Sequence, residues 1–167
     1  VIGRFTGAAA NITLATNWNS RVAIIGEGPD ISLLGTITLN NAVGSGFSFG
    51  TVAVPVFVYN IRLGASGISC NATGAAGNGG EIAISSNGSF LGALSSRVTT
   101  NATGSTGNIR VTDLYGSTTI GTISNVLSIG GSTGNVGSLF LRAVSRMVVG
   151  AIENTGADVG GVVNGNV

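Results

Sequence analysis

Histidine, lysine and glutamine are absent from this chain of 167 residues, and only 8% of it is charged. Without histidine, Ser-His-Asp and Cys-His nucleophiles are excluded, because each needs an imidazole to take the nucleophile's proton. Without lysine, a phosphate-binding loop ending in Lys and then Ser or Thr is excluded. The seven basic residues, all arginine, stand against six acids, for a net charge of +1. That balance provides no basic field for nucleic acid or an anionic membrane.

Acid–base chemistry on a glycosidic bond needs two carboxylates at one site. Among Glu27, Asp30, Glu81, Asp113, Glu153 and Asp158, only Glu27 and Asp30 are close in sequence, and they flank Pro29 in the turn-forming stretch "GEGPD". A calcium-binding β-roll needs an aspartate in every turn, which no repeat here supplies. The expectation is a non-catalytic chain with no metal and no cofactor.

Cysteine is scarce too. Cys70 is the single one, so no internal disulfide can form, and the expected role is a small buried thiol, with an intermolecular disulfide as the alternative. The longest apolar run, Val52 to Tyr59, is interrupted by Pro55 and is far below the roughly 20 residues that span a bilayer, so no membrane insertion is expected. The opening "VIGRF" has neither Met nor a charged and apolar leader, which reads as a processed or trimmed start. Aromatic residues are 5% of the chain. Of these, Trp18 in the polar stretch "TNWNS" is the candidate platform for a sugar ring, with packing against a loop as the plainer role.

What remains is apolar residues and small turn-formers. The chain is 43% hydrophobic, has 29 glycines and a mean hydropathy of +0.50, which is the composition of a chain that folds and packs. One domain, 1–167, is expected from the length. "TGAAGN" at Thr73 to Asn78 returns as "TGSTGN" at Thr103 to Asn108 and as "GGSTGN" at Gly130 to Asn135. The steps Gly77-Asn78, Gly107-Asn108 and Gly134-Asn135 lie 30 and 27 residues apart, a period typical of stacked repeats. Between them run short alternating stretches rich in Val, Ile and Thr: Ile82 and Ile84, Ile109 and Val111, Ile120 and Ile123, Leu139 and Leu141. Each reads as a strand with one buried face.

Short strands at this spacing predict an all-β fold, a parallel β-solenoid with coils of 25–30 residues. A jelly-roll-like β-sandwich pilin is the alternative. In the solenoid the Gly-Asn steps are corners, and Asn78, Asn108 and Asn135 are expected to stack as one side-chain ladder. Residues 61–167 carry the repeat, whereas 1–60 hold convincing but irregularly spaced strands such as "ISLLGTITL" and "FSFGTVAV". Arg142 and Arg146 have helical spacing, but Val148, Val149 and Ile152 are β-branched and Gly150 interrupts, so a strand is favoured there.

The units "GNGGEIAIS", "TGSTGNIRVT" and "GGSTGNVGSLFL" resemble the filamentous-haemagglutinin-like and autotransporter-passenger β-helix proteins of bacterial surfaces, over about residues 61–167. The resemblance implies a secreted, elongated right-handed β-helix used for adhesion or as a stalk, and brings no catalytic residues. The function expected is thus a structural extracellular or cell-surface protein, a subunit of a self-assembling filament or an adhesin stalk. Its partners would be copies of itself, joined head to tail or by strand exchange, and cell-surface carbohydrate. A carbohydrate-binding or ice-binding solenoid module is the alternative. Export would bring the sequons at Asn11, Asn71, Asn87 and Asn101 into play as N-glycosylation sites, with Asn71 and Asn101 favoured because both begin "NATG" and lie 30 residues apart, on the same side of successive coils.

Overall fold

The computed structural model describes residues 12–13, 22–24, 31–40, 42, 46–49, 63–86, 88–101, 103–113, 116–127 and 133–156. The alternating runs become eleven strands, with no helix among the described residues. In chain order these are β1 (Ile12–Thr13), β2 (Val22–Ile24), β3 (Ile31–Thr38), β4 (Phe47–Phe49), β5 (Leu63–Ser69) and β6 (Ile82–Ser86). They continue with β7 (Ser89–Ser95), β8 (Ile109–Asp113), β9 (Ser117–Val126), β10 (Leu139–Ala143) and β11 (Arg146–Thr155).

All pairings between these strands are parallel. Odd-numbered strands make one sheet, ordered β1-β3-β5-β7-β9-β11, and even-numbered strands a second, β2-β4-β6-β8-β10. The chain therefore crosses from one sheet to the other at each step and lays every strand on its equivalent from the turn before. This is a parallel β-solenoid, in which each turn gives one strand to each sheet. A short third side is marked by the parallel bridges Ala72↔Val98 and Val98↔Leu127. The sandwich alternative is set aside, since a jelly roll is built from antiparallel strands.

The core follows from the alternation. Ile82, Ile84, Ile109, Val111 and Leu139 face inward from one sheet, against Ile37, Ile68, Leu94 and Ile123 from the other. Each such side chain contributes roughly 1.5–3 kcal/mol on leaving water. Ala72, Val98, Leu127 and Val136 form a smaller cluster under the third side.

One feature breaks the period of two. Leu91 and Leu94 are both buried although three residues apart, because the register passes from Ala65↔Leu91 directly to Gly67↔Ala93. The same step occurs between Ile120 and Thr122 and between Val149 and Ala151. The skipped positions are Gly92, Gly121 and Gly150, stacked as a column of glycine kinks that leaves the register between turns unshifted. A Cβ on Gly92 would run into the carbonyl oxygen of Ser66, and one on Gly150 into that of Gly121. The kink re-aims the following side chains, so both halves of each long strand point into the same core.

The strands described in 1–60 belong to the same two sheets. Phe47 pairs with Ile82, 35 residues on, whereas Ile82 pairs with Ile109, 27 residues on. The long step between β4 and β6 accounts for the irregular spacing seen in the sequence. The stretch with helical spacing, Arg142 to Val149, holds no helix: it ends β10, bends at Val144 and Ser145, and begins β11.

Candidate functional site

The Gly-Asn corners lie in the return from the third side to the second sheet, and their register differs from the sequence match. A Cβ on Gly104 would come within 2.6 Å of the Gly77 carbonyl oxygen, and one on Gly134 would strike that of Gly104. Gly107 bears in the same way on Gly80, and Gly137 on Gly107. The stacked unit is therefore G-x-x-G, at 77–80, 104–107 and 134–137, and the "TGxxGN" match is three residues out of step in its second copy. Gly77 and Gly134 share one column. Gly107 belongs to the other.

This register dissolves the expected single ladder. Asn78 Oδ1 accepts a hydrogen bond from Ser105 N at 2.9 Å, and Asn135 N donates to Ser105 Oγ at 3.0 Å, so Asn78, Ser105 and Asn135 share a column. Asn108 lies three residues further along the chain path, where its Oδ1 accepts from Ser138 N at 2.9 Å. The amides of Asn78 and Asn108 still serve their turns, each by satisfying a backbone N–H of the turn above.

A true asparagine pair sits where the chain leaves the first sheet. Asn40 Oδ1 accepts from Asn71 N at 2.9 Å, and Asn71 Oδ1 accepts from Arg97 N at 2.8 Å. Asn71 Nδ2 donates to Ser69 Oγ at 3.0 Å. The favoured sequon at Asn71 is thus committed to the stack. Asn101 is buried, and its Nδ2 donates to Gly77 O at 2.9 Å, so a glycan on that nitrogen requires the corner to open. The two sequons also occupy different columns: Asn101 takes the turn position that Gly74 holds one turn earlier, shown by Gly77 N→Gly74 O and Gly104 N→Asn101 O. Asn11, Asn87 and Trp18, with Glu27, Asp30 and Asp158, lie outside the described residues.

Inside, three successive turns carry a polar cross-brace between the end of the first sheet and the G-x-x-G corner. Gly80 N donates to Cys70 O at 2.8 Å, Gly107 N to Ser96 Oγ at 2.9 Å, and Asn125 Nδ2 to Gly137 O at 2.9 Å. Cys70, Ser96 and Asn125 are stacked one above another and fully buried. No motif announces these braces, because the residue types differ in every turn.

Burial pushes the Cys70 thiol up from 9.0 to about 12. A raised pKa means that the fold favours the neutral thiol, so this contribution is intact below pH 9 and is lost as the pH climbs toward 12. At pH 8 the native protein is expected to resist a chromogenic thiol reagent, and urea-unfolded protein to react in full. Rapid labelling of the native protein would contradict this placement.

Asp113, the buried acid, is used structurally: its carboxylate accepts from Gly116 N at 2.9 Å and from Thr118 Oγ1 at 3.0 Å, shaping the β8–β9 corner. No group of three His, Cys, Asp or Glu suited to a metal ion occurs among the described residues, and no helix there is long and apolar enough to cross a membrane. Comparison with family models, curated proteins and solved structures gives no match. The site is therefore judged on its own geometry, which consists of stacked columns and their last turn.

That last turn is where the surface changes character. The large hydrophobic side chains exposed among the described residues are Phe90, Phe140, Val144, Val148 and Ile152, and all but Phe90 belong to it. Arg110 lies over the Phe140 ring, 5.3 Å from its centre. On the outer face of the first sheet, Phe90, Thr119 and Val148 share a column, as do Ala93, Thr122 and Ala151. Threonine does not rank from turn to turn there, which is the arrangement an ice-binding face needs.

Proposed function

We propose that this chain is a non-catalytic structural element of the cell surface or extracellular space, a filament subunit or a stalk segment that associates with copies of itself. The observation that carries the reading is the incompletely covered core layer at the β10–β11 end. Ile152 lies in the column of Leu94 and Ile123, which are at most 2% exposed, yet it is 44% exposed itself. Leu141, Met147 and Val149 in the same layer are only partly buried. Solenoids stack further turns on such layers, within a chain or between chains. The resemblance to surface β-helix proteins points the same way.

Negative-stain electron microscopy of the purified protein, with a search for the roughly 4.8 Å strand repeat along the axis, tests this reading. Filaments with that repeat are expected. Dispersed particles at every concentration, or filaments lacking the repeat, would overturn it.

A further inference from the structure

β11 is the last strand of its sheet, and no strand among the described residues pairs with its outer edge. It is ten residues long, "RMVVGAIENT", with exposed Val148 and Ile152 along it. Arg146 at its start and Glu153 near its end are both exposed, and neither forms an ion pair with another described residue. Long, largely apolar edges recruit further strands unless something specifies which strand.

The sequence of β11 specifies its own partner. Read antiparallel to a second β11, it sets Arg146 opposite Glu153 of the partner subunit, Met147 opposite Ile152 of the partner subunit, and Val148 opposite Ala151 of the partner subunit. Paired residues on antiparallel strands point to the same face. Here they do so only because of the kink at Gly150, which puts Met147 and Ile152 both on the core face, while Arg146, Val148, Ala151 and Glu153 face outward. The backbone agrees. Leu127 N donates to Thr155 O at 3.1 Å, so the outward-facing residues turn their peptide groups toward β9. Core-facing Met147 and Ile152 then present theirs to the free edge, where an antiparallel neighbour forms a closely bonded pair. Parallel association would instead stack Arg146 on arginine and Glu153 on glutamate, which like-charge repulsion disfavours.

We propose that two copies of this chain pair through β11 in an antiparallel, two-fold symmetric contact that joins their sheets and covers the open layer of Met147, Val149 and Ile152. An isologous contact of this kind is the commonest route to a dimer. The proposal rests on the self-association reading in taking a copy of the chain as partner, but it names the strand, the register and the orientation.

Sedimentation analysis of the full chain across a concentration series tests it, with Arg146→Glu, Glu153→Arg and the double variant. The wild type is expected to dimerise, and each single reversal to raise the dissociation constant by at least about tenfold. The double variant restores the opposite-sign pairs and is expected to recover wild-type affinity, which a merely destabilising change would not do. An equimolar mixture of the two single variants is expected to form the heterodimer. A wild type that stays monomeric, single reversals without effect, or a double variant as weak as the singles would each overturn the pairing. Dimers without filaments would sink the filament reading and leave this one standing. Filaments indifferent to both reversals would do the reverse.

Discussion

Gly107→Val is expected to lower the unfolding free energy by about 3 kcal/mol or more. The added Cβ would meet the Gly80 carbonyl group and the Glu81 nitrogen, which are backbone atoms that cannot swing aside. Moving the corner to relieve that clash pulls Gly107 N away from Ser96 Oγ, now 2.9 Å distant, and strips the partner from a fully buried hydroxyl. The loss is thus overpacking plus a broken internal brace, against a total stability that for small domains is only about 5–15 kcal/mol. Urea titration followed by far-ultraviolet circular dichroism measures it. Asn108→Ala, next in sequence, is the control: its side chain is exposed and only caps Ser138 N, so a loss of about 1 kcal/mol is expected. Equal effects at the two positions would mean that the glycine columns are not in contact.

Leu94→Ala is expected to cost about 2–5 kcal/mol, as deletion of a buried leucine does where the surroundings cannot collapse. Leu94 is fully buried between Ile68 of the turn below and Ile123 of the turn above, and both are fixed by parallel backbone ladders. A solenoid has little freedom to close such a cavity, because neighbouring turns are held at the inter-strand spacing. Ile152→Ala, in the same column but 44% exposed, is expected to cost about 1 kcal/mol or less in dilute, dissociated protein. The contrast between two members of one column isolates the effect of turns on both sides. It would disappear if Ile152 were as enclosed as Leu94 in the single chain.

Much of the architecture could be read before any coordinates. Alternation in Ile82 to Ser86 and in Ile109 to Asp113 fixes which residues go inside, since a strand has only two faces and burying the polar one is costly. The recurrence of glycine-rich corners every 27 to 30 residues sets the length of a turn. Together they give parallel stacking and the core. The glycine kink is written in the sequence too: Leu91-Gly92-Ala93-Leu94, Ile120-Gly121-Thr122-Ile123 and Val149-Gly150-Ala151-Ile152 share one pattern of apolar, glycine, any residue, apolar. It stayed hidden because a search for period-two alternation treats that extra residue as an interruption.

Register was a different matter. "TGSTGN" matches "TGAAGN" letter for letter at four positions, yet in the fold the pair is offset by three residues, so Asn108 falls out of the column of Asn78 and Asn135. A string match weighs all positions alike, whereas stacking weighs the contacts. Two carbonyl groups must approach where no Cβ can stand, and that condition selects 77/104/134 and 80/107/137 over the alternative that looks better on paper. The internal braces were illegible for a related reason. Cys70, Ser96 and Asn125 are chemically unlike, and only their common place above one another gives them a common task.

The sequence by itself thus determined the class of fold, the length of the turn and the identity of the core, because these follow from local alternation and from what each residue can tolerate around its own backbone. Only the tertiary structure decided which turn lies on which residue, which amides cap the turn above, and how the charges of β11 are placed along an edge that no described strand pairs. Those depend on contacts between residues some 30 positions apart, and a linear sequence carries no measure of the distance between them.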